Sequence, residues 1–496
     1  AMLLGLVVFA GWCAIYLAMR RWLMGLANTR PAASIEWLWQ GLRRPSVALA
    51  VALGVGGVVR LALLASSPAV LWPDSHVFYL TMHDIVGGRY FAHDPYRTLF
   101  YPYFLSLFLA WDRTPFAGSL VILGQQVIGL VAGALFYWAG RRTFSPLVAL
   151  AGTVLFLCHS LELFYEISVM TEVLFTATLA AVLWLAQWQL DGPSLRRAVV
   201  LGVACGTLVL IRPVAQWFVL CVAFVMWLPR PSWRASGLAL VVVVTSVTLA
   251  VPIMVANQRD FGFFGISLGR GLGLYTRVFE VDGLDPPDPS ANSEMHGLWG
   301  IAENLRWSPN RVRDELNFGH RRPSAVADDM MFTFAVETLK AHPATFAWRS
   351  LRQWAVQLWA PDASMHTCLG PGDPYLCSGR TTGESLPPFP NEPGPDHSAL
   401  RGVVLRAMRW GQVPMSAVLG AAAIGLLALM ARPRKRPGAV LAVLTIAYFT
   451  LVPAVTQVPQ DRYRLPVDAL LFMLAAWGVR FVAVQAWPPD QNVRTR

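Results

Sequence analysis

The sequence has few charged residues. Only 14% of its 496 residues are Asp, Glu, Lys or Arg, whereas a soluble domain carries roughly 25%. Hydrophobic residues make up 55%, and they are gathered into runs long enough to cross a bilayer core, which takes roughly 20 residues. This composition excludes a soluble globular protein and predicts a polytopic helical membrane protein.

Cysteine is scarce, and nucleotide-binding motifs are missing. Four of the six Cys lie in apolar runs and are interpreted as packing residues, whereas Cys368 and Cys377 share a polar loop and could form a disulfide in an oxidising compartment. No P-loop, dinucleotide fingerprint or esterase elbow stands in a strand-turn-helix context. The loops that carry the basic clusters are too short to build a nucleotide-binding domain.

Apolar runs divide the chain into three parts. Residues 1–255 predict an N-terminal transmembrane bundle, 256–412 a small mixed periplasmic cap, and 413–496 the C-terminal transmembrane helices. The fold class is therefore all-α, with about eleven transmembrane helices near residues 2–19, 47–66, 118–139, 145–160, 172–189, 198–211, 214–229, 237–255, 413–431, 438–455 and 465–484.

The net charge of +11 comes from short basic clusters between these runs. If residues 20–46 are cytoplasmic, the clusters at 141–142, 196–197, 230–234 and 432–436 all fall on that same side, as the positive-inside rule requires. The charge therefore indicates topology and not nucleic-acid binding. The sequence predicts a multi-pass protein of the bacterial inner membrane, with loop 67–117 and region 256–412 facing the periplasm.

Loop 67–117 begins with an acid at the mouth of the bundle. Ser75–Val86 predicts a helix that ends at Gly87-Gly88, with Asp74 or Ser75 as its N-cap. The aromatic run Phe104–Trp111 is too short to cross the membrane and predicts an interfacial helix. In region 256–412, Ala325–Trp359 predicts a helix interrupted at Pro343. Asp74 thus has two interpretations, a helix cap or a catalytic carboxylate.

Four passages resemble a known family in their order along the chain. They are Arg97-Thr98-Leu99-Phe100-Tyr101-Pro102-Tyr103, Met170-Thr171-Glu172-Val173-Leu174-Phe175, Gly202 to Arg212-Pro213, and Asp461-Arg462-Tyr463-Arg464-Leu465-Pro466. Together with Asp74 they resemble polyprenyl-phosphate-dependent glycosyltransferases of the C-type fold, the group of aminoarabinose transferases and protein O-mannosyltransferases. Where family members often carry Asp-Glu in the first loop, this chain has Asp74-Ser75.

The resemblance implies a membrane enzyme that moves a single sugar from a polyprenyl-phosphate donor to a periplasmic glycan, lipid or protein acceptor, with inversion of the anomeric centre. Such chemistry needs a base for the acceptor proton, and Asp74 is the candidate. It also needs cations for the leaving phosphate. The candidates are Arg212, Arg462, Arg270 and Arg464. Two alternatives stay open: Glu172 or Glu166 could pair with Arg212, and Asp461 could pair with Arg462 or Arg464.

Further residues are predicted to bind substrate or to support the site: His76, Tyr79, Glu166, Glu172, Arg97 and Tyr101. The spacing of His76 and His83 is wide for two ligands of one zinc ion, so no metal and no cofactor is assigned. Two other functions stay open. A glycan polymerase or ligase could use region 256–412, and a lipid or sugar flippase would need paired repeats and broken helices. The sequence gives neither the sugar, nor the acceptor, nor the oligomeric state.

Overall fold

A computed structural model describes residues 44–66, 69–88, 95–109, 115–229, 231–286, 293–320, 323–359, 414–432, 436–457 and 460–486. The predicted helix at 2–19 and the pair Cys368 and Cys377 lie outside these residues. The described part of the chain is helical. It contains no strand beyond a single isolated bridge between Val70 and Ser168.

The N-terminal half forms ten α-helices within the described residues. They are α1 (Pro45–Ser66), α2 (Pro73–Val86), α3 (Phe100–Leu109), α4 (Pro115–Thr143), α5 (Pro146–Leu157), α6 (Ser160–Glu166), α7 (Glu172–Asp191), α8 (Leu195–Ile211), α9 (Phe218–Trp227) and α10 (Trp233–Phe261).

The rest of the described chain adds eight. They are α11 (Arg270–Tyr275), α12 (Ser293–Asn304), α13 (Pro309–Asp314), α14 (Ser324–Ala341), α15 (Pro343–Trp359), α16 (Met415–Met430), α17 (Arg436–Thr456) and α18 (Leu465–Ala486). A helical turn over Asp461–Tyr463 precedes α18. The predicted helix over 325–359 and its interruption at Pro343 are confirmed by α14 and α15.

Six described helices are long and apolar enough to cross a membrane: α1, α4, α7, α10, α17 and α18. The pair α5 and α6, bent by 55° at a short break, would make a seventh span. The all-α membrane fold is thus confirmed, but the count of about eleven spans is not. The runs at 198–211, 214–229 and 413–431 form helices of 17, 10 and 16 residues, which are shorter than the roughly 20 residues that a span needs.

The start of α2 corrects one sequence prediction. Neither Asp74 nor Ser75 is the N-cap, since the helix begins at Pro73 and Trp72 occupies the cap position. Proline suits the first helical position, where its fixed φ and missing N–H cost nothing. Asp74 therefore lies inside the first turn. The Ser75 hydroxyl accepts from the Trp72 N–H at 2.8 Å and donates to the Val169 carbonyl at 2.7 Å, which ties α2 to the segment before α7. The predicted helix end at Gly87-Gly88 is confirmed.

Small residues bring the last helices into close contact. A Cβ atom on Gly425 of α16 would stand 1.9 Å from the Leu474 carbonyl oxygen of α18, and one on Gly478 would stand 2.1 Å from the Ala421 oxygen. Such backbone approach is a common way for membrane helices to pack. This packing holds α18 against α16, and it therefore also positions the turn over Asp461–Tyr463 that precedes α18.

Arg142 and Arg480 mark one end of the bundle. There Arg142 pairs with Asp191 at 2.9 Å, and Arg480 donates to the Ser145 hydroxyl at 2.6 Å. Following the helices from there places the first turn of α2, the start of α7, the end of α8 and the start of α18 at the opposite end. That opposite end holds the candidate site.

Candidate active site

A cavity of about 670 Å³ opens at the end of the bundle remote from the basic loops. Its walls come from the starts of α2 and α7, the end of α8, the segment 267–276 and the end of α17 with the turn before α18. Among its charged lining residues are Asp74, Arg97, Glu172, Arg212, Arg270 and Arg462. The structure thus brings together six residues that the sequence analysis singled out.

Asp74 is held between two guanidinium groups. Its Oδ1 accepts from Arg97 Nη2 at 2.5 Å, and its Oδ2 lies 3.6 Å from Arg462 Nη1. Burial raises the pKa of Asp74, but the charges of Arg97 and Arg462 together outweigh it and leave the pKa below the ordinary value of 3.8. At neutral pH the group is therefore an ionised carboxylate, the form that can accept a proton.

Glu172 forms the second acidic point of the cavity. Its side chain is fully buried, and its Oε1 lies 3.0 Å from Arg212 Nη1 and 4.0 Å from Arg462 Nη1. Arg462 thus lies between the two acids. Arg212 and Arg462 also lie over the ring of Tyr463, at 5.4 and 5.3 Å from its centroid, which limits how far either guanidinium can swing.

Local sequence explains how these side chains reach the cavity. Arg212 precedes Pro213, and a residue before proline is pushed out of the helical region. Its φ and ψ are −144° and 118°, so α8 ends there and the side chain turns from the helix axis toward Glu172. Glu172 is the first residue of α7, where the helix dipole stabilises a negative charge.

The inner cluster carries an excess of positive charge. Three guanidinium groups, those of Arg97, Arg212 and Arg462, face two carboxylates, those of Asp74 and Glu172. Burial lowers the pKa of Arg462, but the interactions with Tyr463, Glu172 and Asp74 raise it by more. The net pKa is above its ordinary value, so the guanidinium stays cationic. Partly buried charge without a counter-ion is costly. A single anion in the cavity would balance the cluster.

The far rim of the cavity is built by the segment after α10. Arg270 forms an exposed ion pair with Asp329 and lies 4.8 Å from the centre of the Phe332 ring. Asn310 and Gln457 add uncharged hydrogen-bonding groups to the lining. This side of the cavity is polar and less constrained than the inner cluster.

Two predicted site residues lie in buried pairs away from the cavity lining. Arg464 is fully buried, with its Nε 3.0 Å from Asp468 Oδ1 and its Nη1 donating to the Leu358 carbonyl at 3.4 Å. Glu166 accepts from Arg60 Nη2 at 2.5 Å inside the bundle. Both charges are compensated by these partners, so neither side chain is brought to the cluster around Asp74.

Three other predicted residues also lie outside the lining. Tyr101 is buried, and its hydroxyl donates to Gln125 Oε1 at 2.6 Å. His76 and Tyr79 are on α2 but line no part of the cavity, and Tyr79 packs edge-on against His83 at 4.6 Å. Within the described part of the chain, no three His, Cys, Asp or Glu side chains come close enough to hold a metal ion.

Sequence reasoning missed the uncharged lining residues. Gln457 and Gln460 follow α17, Gln216 and Trp217 follow Pro213, and all four line the cavity. Each stands within five positions of an arginine already named. That proximity at the end of a span was the only signal available.

The comparisons with known proteins find distant structural neighbours. No protein-family model matches the chain, and no curated protein matches it by sequence. The chain is similar to the oligosaccharyltransferase of Archaeoglobus fulgidus in the apo form, at 13% identity and a TM-score of 0.46, over 90% of this chain and 51% of that one. It therefore spans about half the length of that protein.

The same archaeal oligosaccharyltransferase, in complex with an inhibitory peptide and a dolichol-phosphate, gives 13% identity and a TM-score of 0.42, over 89% of this chain and 52% of that one. ArnT from Cupriavidus metallidurans bound to undecaprenyl phosphate gives 14% identity and a TM-score of 0.37, over 88% of this chain and 78% of that one. Both proteins are of the class of membrane glycosyltransferase that the sequence motifs resemble.

Proposed function

We propose that the chain is a membrane glycosyltransferase that moves a sugar from a polyprenyl-phosphate donor to an acceptor on the periplasmic side. The observation that supports this most is the inner cluster, in which Asp74 and Glu172 share Arg462 within 3.6 and 4.0 Å. One excess positive charge at the end of a membrane bundle suits an anionic lipid headgroup. The cavity, at about 670 Å³, lies in the range of roughly 300–1,000 Å³ typical of small-molecule sites.

The proposed reaction assigns each charged group a task. Asp74 accepts the proton of the acceptor hydroxyl or amine, while the acceptor oxygen or nitrogen bonds to the anomeric carbon. The bond between the anomeric carbon and the phosphate oxygen breaks, and the electron pair leaves with the phosphate. Arg462 and Arg212 stabilise the charge that grows on it. The displacement inverts the anomeric centre, as the sequence resemblance implies.

The remaining cavity residues support this centre. Arg97 orients the Asp74 carboxylate, and Glu172 holds Arg212 and Arg462 side by side. Arg270, at the rim, is placed to meet a more distant oxygen of the donor or the acceptor. Arg464 and Glu166 are left out of the proposal, because their buried partners already compensate their charges.

A transfer assay in lipid vesicles tests the function. Purified protein is supplied with a radiolabelled polyprenyl-phosphate sugar and candidate acceptors, and Arg212→Gln and Arg462→Gln are compared with wild type. We expect each variant to raise the KM for the donor, because each removes a phosphate contact, and to lower kcat, because the charge that grows on the leaving phosphate is less stabilised. Arg259→Gln, which changes an exposed arginine paired with Asp260 outside the cavity, is the matched control.

Two outcomes would contradict the proposal. Unchanged donor kinetics in both variants would remove these arginines from the phosphate site. Movement of the lipid across the vesicle membrane without sugar transfer would favour a flippase. Mass spectrometry of lipid that co-purifies with the protein would identify the sugar.

A further inference from the structure

Helix α15 presents an apolar face away from the rest of the protein. Trp348, Leu351, Val356 and Trp359 have exposed fractions of 67%, 50%, 47% and 46%. At about 100° per residue they fall on one side of the helix and so form one apolar stripe. We refer to these four residues as the outer stripe.

The face of α15 that contacts the protein carries buried polar residues beside the rings of Phe346 and Trp354. Ser350 and Gln357 are buried there, and the Ser350 hydroxyl accepts from Arg277 Nη2 at 3.3 Å. Trp354 Nε1 donates to the Thr450 hydroxyl at 2.8 Å. A helix on a water-facing surface buries its apolar side and exposes its polar side. In α15 this arrangement is reversed.

The position of α15 along α17 explains the reversal. Thr450 lies six residues before the last residue of α17, which is about 9 Å along the helix axis at 1.5 Å per residue. Trp354 thus contacts α17, one of the candidate spans, within the helix and not at its end. Leu451 and Val455, within five residues of Thr450 on the same helix, are also exposed, so α15 meets α17 where that span has exposed apolar side chains.

One charged residue accompanies the outer stripe. Arg352 is exposed and lies one turn from Trp348 on the helix surface. A long basic side chain within an apolar stripe can extend its guanidinium to the headgroup layer while its methylenes stay in the acyl region. Trp at both ends of the stripe suits the same boundary, which indoles favour.

We propose that α15 is an interfacial membrane helix, whose outer stripe lies in the acyl chains of the leaflet on the cavity side, with Arg352 at the phosphate headgroups. The end of the region that the sequence assigned to a periplasmic cap is therefore embedded in the bilayer. This proposal rests on the contacts of α15 and not on the proposed function.

Spin labels measure the surroundings of each face directly. The six native cysteines are replaced, and single cysteines are placed at Trp348, Leu351, Val356 and Trp359 in the full chain. The labelled proteins are reconstituted in phosphatidylcholine and phosphatidylglycerol vesicles. Collision rates with oxygen, which partitions into acyl chains, and with a nickel chelate, which stays in water, are read from power-saturation spectra.

The chain offers matched references for both environments. Val58, exposed on the span α1, serves as the lipid reference, and Glu303, exposed at the end of α12, serves as the aqueous one. We expect labels on the outer stripe to collide mainly with oxygen, as at Val58, and a label at Arg352 to lie closer to the headgroups than they do. Only variants with the elution volume and unfolding temperature of the cysteine-free protein are compared.

Two results would overturn the proposal. Frequent collision with the nickel chelate along the stripe, as at Glu303, would mean that this face lies in water. Infrequent collision with both reagents would mean that another protein surface covers it. Either result can be distinguished from failure of the proposed function, because the spectra require no substrate.

Discussion

Replacing Asp74 by Asn removes the proposed base with little change of shape. An amide cannot take the acceptor proton, so the contribution of general base catalysis, about 10²–10⁴-fold, should disappear from kcat. That loss corresponds to about 3–5 kcal/mol of barrier. The cost to folding should be smaller. The two ion pairs of Asp74 join partly exposed side chains, and pairs of this kind are worth about 0–1 kcal/mol each.

The assay compares the expected large loss of kcat with the expected small loss of stability. Initial rates of sugar transfer give kcat and the donor KM, and thermal unfolding of the same samples gives the change in stability. We expect a large loss of kcat with a donor KM that is unchanged or lower, because Arg97 and Arg462 lose a competing anion. Asp260→Asn, which removes an acid from an ion pair outside the cavity, should behave as wild type.

A different pattern would refute the assignment. If Asp74 only holds Arg462 in place, its replacement raises the donor KM and spares kcat, since a ground-state contact has been lost. Wild-type kcat in a folded Asp74→Asn protein would remove the residue from the chemistry.

Two further predictions concern the charges near the cavity. Burial raises the pKa of Asp74, and Arg97 and Arg462 bring it below 3.8. The base works only as a carboxylate, so activity should be lost as the pH falls through this lowered pKa. Arg97→Gln should shift that acidic limb of the kcat/KM profile to higher pH, and an unmoved limb would contradict the role of Arg97. Arg464→Met leaves Asp468 buried without its guanidinium partner and should lower the free energy of unfolding by about 3–5 kcal/mol. Chemical denaturation measures this loss, and unaltered stability would show that the pair is not needed for folding.

The sequence predicted those cavity residues that stand at the ends of apolar runs. Asp74, Glu172, Arg212 and Arg462 each stand at the end of an apolar run, and alternation of the runs puts these ends on the same side of the membrane. Helices that pack side by side then bring them together.

The sequence did not show which of two neighbouring arginines faces the cavity. Arg462 is on the turn before α18, whereas Arg464 precedes the first turn of that helix and pairs with Asp468 four positions later. That spacing, typical of ion pairs on a helix, was present in the sequence. The partner of Glu166 left no comparable trace, because Arg60 is 106 residues away and only tertiary packing brings the two together.

The position of Arg462 between Asp74 and Glu172 has a kinetic consequence under the proposed function. In the empty site Asp74 is a poor proton acceptor, since two guanidinium groups stabilise its carboxylate. A phosphate that draws Arg462 away, and adds its own negative charge nearby, raises the proton affinity of Asp74. The donor would thus strengthen the base at the step in which the acceptor gives up its proton. A complex with the acceptor alone would keep Asp74 in its less basic state.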